Sequence, residues 1–187
     1  MLILADLHLG KVTHFRKNGI PLPKQVEKDN YDRFSYLILN YHPEVILILG
    51  DLFHSHYNDE WEAFLNFISL FPKKEFILVK GNHDILDKKK YLGPNLTVYN
   101  EDFQSGPFHF THHPEKHEHL YNICGHIHPS VRLRGKGLQR LNLPCFYFSI
   151  ESAVLPAFGS FTGTYRVEPK KTDEIYAITE KQVIQVY

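Results

Sequence analysis

Three short runs of uninterrupted apolar residues constrain this chain more than anything else in it: Leu2-Ile3-Leu4-Ala5, Val45-Ile46-Leu47-Ile48-Leu49 and Phe76-Ile77-Leu78-Val79. A strand with one face in water alternates apolar and polar residues, so these runs belong to strands covered on both faces, as in a parallel sheet. Parallel neighbours need crossovers, and the intervening sequence supplies them. Residues 24–40 carry Val26, Tyr31, Phe34, Leu37 and Ile38 at helical spacing, stopped by Pro43. Asn58 or Asp59 can cap a second helix, with the stripe Trp61, Phe64, Leu65 and Ile68, before Pro72. Strands alternating with helices are therefore expected up to about residue 128.

Beyond residue 129 the helical period disappears. Strands are expected at 130–134, 145–150, 161–167, 174–179 and 182–186, the last two as a hairpin. The expected fold class is α/β of the mixed α+β kind: a two-sheet β-sandwich flanked by helices, with a βαβ N-terminal half and a mainly β C-terminal half. No repeat or linker divides the 187 residues, so 1–187 is expected to form a single domain.

Charge narrows the function. The 21 basic and 21 acidic residues balance, which excludes an acidic solvating tail and argues against binding nucleic acid through bulk positive charge. The longest aliphatic run is far below the roughly 20 residues of a membrane span. No basic region precedes Asp6, so no signal peptide is expected. Two cysteines, Cys124 and Cys145, fit a reducing cytoplasm, and the short aliphatic runs argue against membrane association. Thirteen histidines against one methionine and one tryptophan are a large excess of the commonest metal-ligating side chain.

Five segments place polar groups just past an apolar strand: Asp6-Leu7-His8, Gly50-Asp51, Gly81-Asn82-His83-Asp84, His112-His113-Pro114 and Gly125-His126-Ile127-His128. Strand carboxyl ends are where open α/β sheets gather their ligands. In extended chain Asp6 and His8 face one side while Leu7 turns into the core, and His126 and His128 are spaced alike. Gly50, Gly81 and Gly125 suit sharp turns or close backbone approach. The count gives seven candidate ligands, Asp6, His8, Asp51, Asn82, His112, His126 and His128, with His113 an alternative to its neighbour. Seven donors suit two ions with one carboxylate bridging, the arrangement that clamps both oxygens of a phosphoryl displacement. Oxygen and imidazole donors without thiolate suit manganese, iron, zinc or nickel.

Singly these segments mean little, since Gly-Asp and Gly-Asn-His-Asp are also ordinary turns. Together, in this order, they resemble the signature of the calcineurin-like metallophosphoesterases. Ala5 to Lys11, Phe15-Arg16, Gly19-Ile20-Pro21, Gly50 to Ser55, His126 to Pro129, Leu143 to Phe146 and Leu155 to Gly163 are further similar to the ligase-associated DNA-damage-response endonucleases, along essentially the whole chain. The resemblance implies that Asp6, His8, Asp51 and His128 hold one divalent ion. It assigns Asp51, Asn82, His112 and His126 to a second, manganese before iron, zinc or nickel. It places His83 near the phosphate as general acid or charge stabiliser, with Asp84 orienting its ring. It also implies a metallophosphoesterase-type sandwich, a DNA phosphodiester substrate, and a repair setting beside a ligase and a helicase. One departure is that such proteins carry residues ahead of the first strand, so a flanking β segment is expected to be missing here or the start codon misplaced.

Other readings stay open at this point. A small-nucleotide phosphodiesterase or phosphatase would use the same ligands, and a non-catalytic interaction module could share the fold. Lys11, Arg16 and His54 are candidate phosphate contacts. Arg132, Arg134, Lys136 and Arg140, with no acidic residue among them, form the best candidate for a DNA backbone contact. Lys88-Lys89-Lys90, His56, His117 and His119 suit solvated positions. His109 suits a core or edge, and both cysteines suit inert burial.

Overall fold

In the computed structural model, strands β1 (Leu2–Ala5), β2 (Val45–Leu49), β3 (Glu75–Val79) and β4 (Leu96–Tyr99) form a parallel sheet in that order. The structure describes all residues except 12–14, 16–18, 20–24, 54–58, 86–90, 92, 136, 138 and 161, and omits the side chains of 25–27 and 59. His14, Arg16, Ile20, Pro21, the Val26 side chain, His54, His56, the Asn58 and Asp59 caps, Lys88 to Lys90 and Lys136 thus lie outside the described residues.

The three apolar runs are β1, β2 and β3, and both faces of their sheet are covered. Leu4, Ile46, Ile48, Phe76 and Leu78 pack beneath helices α1 (Gln25–Tyr41) and α2 (Asp59–Ser69), against Phe34, Ile38, Trp61, Phe64 and Ile68. Ala5, Leu47, Leu49, Ile77 and Val79 face the other way, onto Phe110, Leu155, Ile123 and Phe146 of a second sheet. That sheet contains β5 (Asp102–Ser105), β6 (Phe108–Thr111), β7 (Tyr121–Cys124), β8 (Pro129–Arg134), β9 (Arg140–Phe148), β10 (Ser152–Val154) and β11 (Tyr165–Arg166), in the order β11-β8-β9-β10-β7-β6-β5. The expected C-terminal hairpin is β12 (Glu174–Ile178) with β13 (Val183–Gln185), and β12 joins the sheet along β9. Because β6, β7 and β10 are parallel, their carboxyl ends emerge together, and those of β6 and β7 meet those of β1 and β2, Gly50 lying against His112 and Gly125 against Asp6.

Several boundaries differ from expectation. The β-rich part begins at residue 96, not 129: β4 and β5 are four-residue, partly exposed strands with little pattern to read, and β6 and β7, the strands ahead of His112 and Gly125, belong to the second sheet. The strand expected at 145–150 runs from Arg140 to Phe148, with its polar first half extended by pairing to β8. The run 161–167 contributes only Tyr165–Arg166 among the described residues. Helix α1 ends through His42, left-handed at φ 48, whose N–H still reaches the Ile38 carbonyl at 3.1 Å. Glycine or asparagine usually takes that closing position.

Candidate metal centre

The side chains of the five segments converge, by a backbone route that differs from the expected one. Asp6 and His8 are not on extended chain: β1 stops at Ala5, and both residues are left-handed, at φ 53 and 47. Asp51 (φ 47), His126 (φ 66) and His128 (φ 50) share that conformation. Among the described non-glycine residues only His42 joins them. Left-handed geometry costs an L-residue roughly 1–2 kcal/mol and concentrates at functional sites. Five such residues together cost about as much as burying a few core side chains gains, at roughly 1.5–3 kcal/mol each. Main-chain bonds hold them in place. The N–H groups of Asp6 and His8 reach the carbonyls of Gly50 and Asp51 at 3.2 and 2.9 Å, and those of Phe158 and Gly159 reach Ala5 and Asp6 at 2.8 and 3.0 Å.

Two groups of donors result. In the first, His128 Nε2 stands 3.5 Å from Asp6 Oδ1, and the His8 ring lies 5.4 Å from that of His128. In the second, His112, His113 and His126 cluster, with His112 Nε2 at 3.1 Å from His126 Nδ1. Asn82 adjoins this group through its Oδ1, which accepts from His113 Nε2 at 2.8 Å. The structure therefore sends His126 and His128 to different groups, where an extended strand would have aimed both one way. Asp51 stands between them: Oδ2 is 3.9 Å from His8 Nε2 and Oδ1 is 3.5 Å from His112 Nε2. The ligand atoms of Asp6, Asp51 and His112 all lie within 4.8 Å of one another.

These residues fit divalent cations. Asp6 is fully buried; its Oδ2 accepts the His126 N–H at 2.9 Å, while Oδ1 is buried with no hydrogen bond. A buried carboxylate oxygen is costly without a cation, and imidazole nitrogens surround this one. Nδ1–H of His112 donates to the Leu49 carbonyl at 3.1 Å and that of His128 to Gly163 at 3.0 Å. Each bond leaves the Nε2 lone pair aimed at the cluster, as second partners of metal-binding histidines do. Burial, then neighbouring His113 and His112, lowers the His126 pKa, which favours the neutral imidazole that ligates. Burial lowers His128 too, but the charge of the nearby Asp6 carboxylate and the Gly163 carbonyl outweigh it and leave His128 raised.

Glycine permits this density. A Cβ at Gly81 would meet the Asp51 N and Oδ1 atoms, and one at Gly125 would stand 2.6 Å from Asp6 Oδ2 and 2.7 Å from Ala5 Cβ. Gly125→Ala is accordingly expected to push the Asp6 carboxylate aside and weaken Mn²⁺ affinity by about 10–100-fold, the usual scale for a disturbed ligand support. Metal titration of the purified variant checks it.

The remaining candidates divide. His83 is exposed, with its ring 5.7 Å from that of His8 and its N–H on Asp51 Oδ1 at 3.0 Å. Asp84 is buried; its carboxylate accepts the N–H groups of Gly81 at 2.9 Å and Phe53 at 3.3 Å, tying the loop after β3 to the one after β2. Burial pushes its pKa up to about 6; the Gly81 N–H opposes this and the Asp51 charge adds to it. Lys11 is half-buried, lowered by that burial, and close enough for its charge to act on His128.

Arg132, Arg134 and Arg140 share one face of the β8–β9 hairpin, Arg134 opposite Arg140 and Arg132 opposite Asn142, to which its Nε donates at 2.9 Å. At about 3.3 Å per residue, Arg132 lies roughly 13 Å and Arg134 roughly 20 Å along the strand from His128. They form a rail leading away from the donors and are not part of the cluster. His109 is buried with Nε2 on Asp102 at 2.9 Å, while His117 and His119 are exposed. Burial pushes the Cys124 thiol up to about 12 and Cys145 up to about 11, as suits inert thiols. Two contributors had little sequence signal: His113, which differs from His112 only by position, and the Phe158-Gly159 amides that pin the Asp6 loop.

Buried carboxylates and imidazoles gathered at the ends of parallel strands in a two-sheet α/β fold define a metal-dependent phosphoester hydrolase. Residues 1–145 match the calcineurin-like phosphoesterase family, and the chain belongs to it. The fold is similar to that of the Pseudomonas putida nuclease MPE, with a TM-score of 0.78 and 27% sequence identity over 94% of this chain and 82% of that one. It is also similar to YfcE, a phosphoesterase from E. coli, with a TM-score of 0.50 and 14% identity over 99% of this chain and 97% of that one. The second likeness concerns the fold alone. No curated protein matches the sequence. Among the described residues no helix is long and apolar enough to cross a membrane.

Proposed function

We propose that this enzyme is a dinuclear phosphodiesterase that cleaves DNA. Asp6, His8, Asp51 and His128 would hold one divalent ion, and Asp51, Asn82, His112 and His126 the other. The observation that carries the reading is Asp51, whose two oxygens face the two groups at 3.9 and 3.5 Å. A pair of ions there, manganese before iron, zinc or nickel, would supply positive charge to the attacking and leaving oxygens of a phosphodiester. His113 donates to Asn82 Oδ1, which fixes the amide and leaves its second lone pair for a metal. His83, exposed beside His8, holds the proton for the leaving oxygen, and Asp84 positions it by bracing the loop. Lys11 offers charge to the phosphate on the His128 side. The subfamily motifs support extending the reading to a repair setting beside a ligase and a helicase.

The nuclease likeness supports a nucleic-acid substrate, and the arginine rail supplies a backbone contact that net charge does not. Affinity carried by Z phosphate contacts has a log–log salt slope of about −0.9Z on duplex and −0.7Z on single strands. Replacing Arg132, Arg134 and Arg140 by alanine is expected to flatten that slope by about two to three contacts' worth and weaken DNA cleavage, with a small diester affected much less. An unchanged slope would make the hairpin a solvated surface. The reading as a whole is tested by supplying Mn²⁺ and comparing single-stranded, duplex and nicked DNA with nucleotides and a generic diester. Nucleotide hydrolysis without DNA cleavage would favour the small-nucleotide alternative.

A further inference from the structure

Beside the donor cluster, on the His128 side, a cavity of about 400 Å³ opens between the edge of β1 that faces away from β2, helix α1 and the second sheet. That volume falls in the range of about 300–1,000 Å³ usual for small-ligand sites. Its walls are flat and apolar: Pro129, Pro144, Phe146 and Phe158 all contribute. His128 belongs both to the cavity wall and to the Asp6–His8 donor group, so a phosphate at the cluster has the cavity within reach of its next substituent.

Polar groups are few and placed at the rim. Arg33 stands over the Phe158 ring at 4.4 Å and is fixed there by bonds to the Phe158 carbonyl and, at 3.0 Å, to Asn30 Oδ1. Ile3, Leu4 and Ala5 of β1 also line the cavity. The Asp6 N–H points to β2, reaching Gly50, whereas the Ala5 carbonyl points away from β2 to receive the Phe158 N–H. By the two-residue period of a strand, the N–H and C=O of Ile3 point the same way as that carbonyl, and Ile3 lines the cavity. Among the described residues no strand pairs with β1 on that side. A side-by-side donor and acceptor on a strand that lines an apolar cavity match the edge and face of a nucleobase, which presents donors and acceptors in plane and stacks on either face.

We infer that this cavity is the base-accepting subsite of the enzyme, taking one nucleobase next to the phosphate being cleaved. The inference rests on the phosphodiesterase reading above and adds which substrates the site prefers.

The test compares two diesters with the same leaving group, thymidine 5′-(p-nitrophenyl phosphate) and methyl p-nitrophenyl phosphate, at fixed Mn²⁺. The wild-type enzyme is expected to favour the nucleoside ester in kcat/KM by about tenfold or more, the scale of one stacked base. Thr164→Trp, which fills the cavity from its exposed mouth, is expected to lower that ratio about tenfold, mostly through KM. Ala157→Phe should do the same from another wall. Equal wild-type rates on the two esters, or an unchanged ratio in both variants, would overturn the subsite and leave the phosphodiesterase standing. Failure of the wild-type enzyme to hydrolyse either ester would overturn both.

Discussion

Asp51→Asn is expected to bring bound metal down from two ions to one or none and to slow phosphodiester cleavage by at least about 10³-fold. The magnitude follows from what is removed. A preorganised electrostatic group at a reacting centre is worth about 10²–10³ alone, and this substitution disturbs both ion positions at once. Asparagine keeps one oxygen, so the His83 N–H retains its acceptor and the loop after β3 keeps its anchor. Metal-free protein should be at least as stable as metal-free wild type, because one of two buried carboxylates within 4.8 Å of the same atoms is gone. Metal analysis, thermal unfolding without metal and diester turnover together separate this from unfolding. Two retained ions with normal turnover would remove Asp51 from its bridging place.

The second large effect concerns His83. A deoxyribose alkoxide needs a proton as its bond to phosphorus breaks, whereas p-nitrophenolate leaves without one at neutral pH. His83→Gln is therefore expected to slow DNA cleavage by about 10²–10⁴-fold, the range of general acid catalysis. Hydrolysis of an activated p-nitrophenyl diester should fall much less, and bound metal should stay the same. Asp84→Asn should weaken both reactions together. The Asp84 carboxylate bonds two main-chain N–H groups, and an amide can accept only one of those bonds without turning its NH₂ towards the other. Equal losses on both substrates in His83→Gln would assign His83 to phosphate binding or metal support.

The layered core was legible in the sequence because physics leaves a run such as Val45 to Leu49 few alternatives: both faces must be covered, and α1 and the second sheet cover them. The polar segments were legible only as a set, since each alone could be an ordinary turn but all five follow apolar strands. What could not be read was how the chain turns there. Asp6, His8, His126 and His128 are left-handed, a state held by distant partners such as the Gly50 carbonyl and the Gly159 amide, and no local pattern announces it. That turn is why His126 and His128 part company. Strands β4 and β5 escaped because each is four residues long and partly exposed, so period and burial carry little signal, whereas β6 and β7 are the strands that the His112 and Gly125 segments follow. The cavity beside His128 escaped altogether, being assembled from α1, β1, β8, β9 and the loop after β10. Arg16 and His54, two of the phosphate candidates, lie outside the described residues and stand on their sequence positions alone.

The claim on which everything else depends is that Asp51 sits between two ions. It is tested most directly by growing crystals with Mn²⁺ and collecting data where manganese scatters anomalously. The account predicts two peaks roughly 3.5–4 Å apart, one among Asp6, His8 and His128, the other among Asn82, His112 and His126, with one Asp51 oxygen on each. A single peak, or two peaks of which one lacks Asp51, would contradict it.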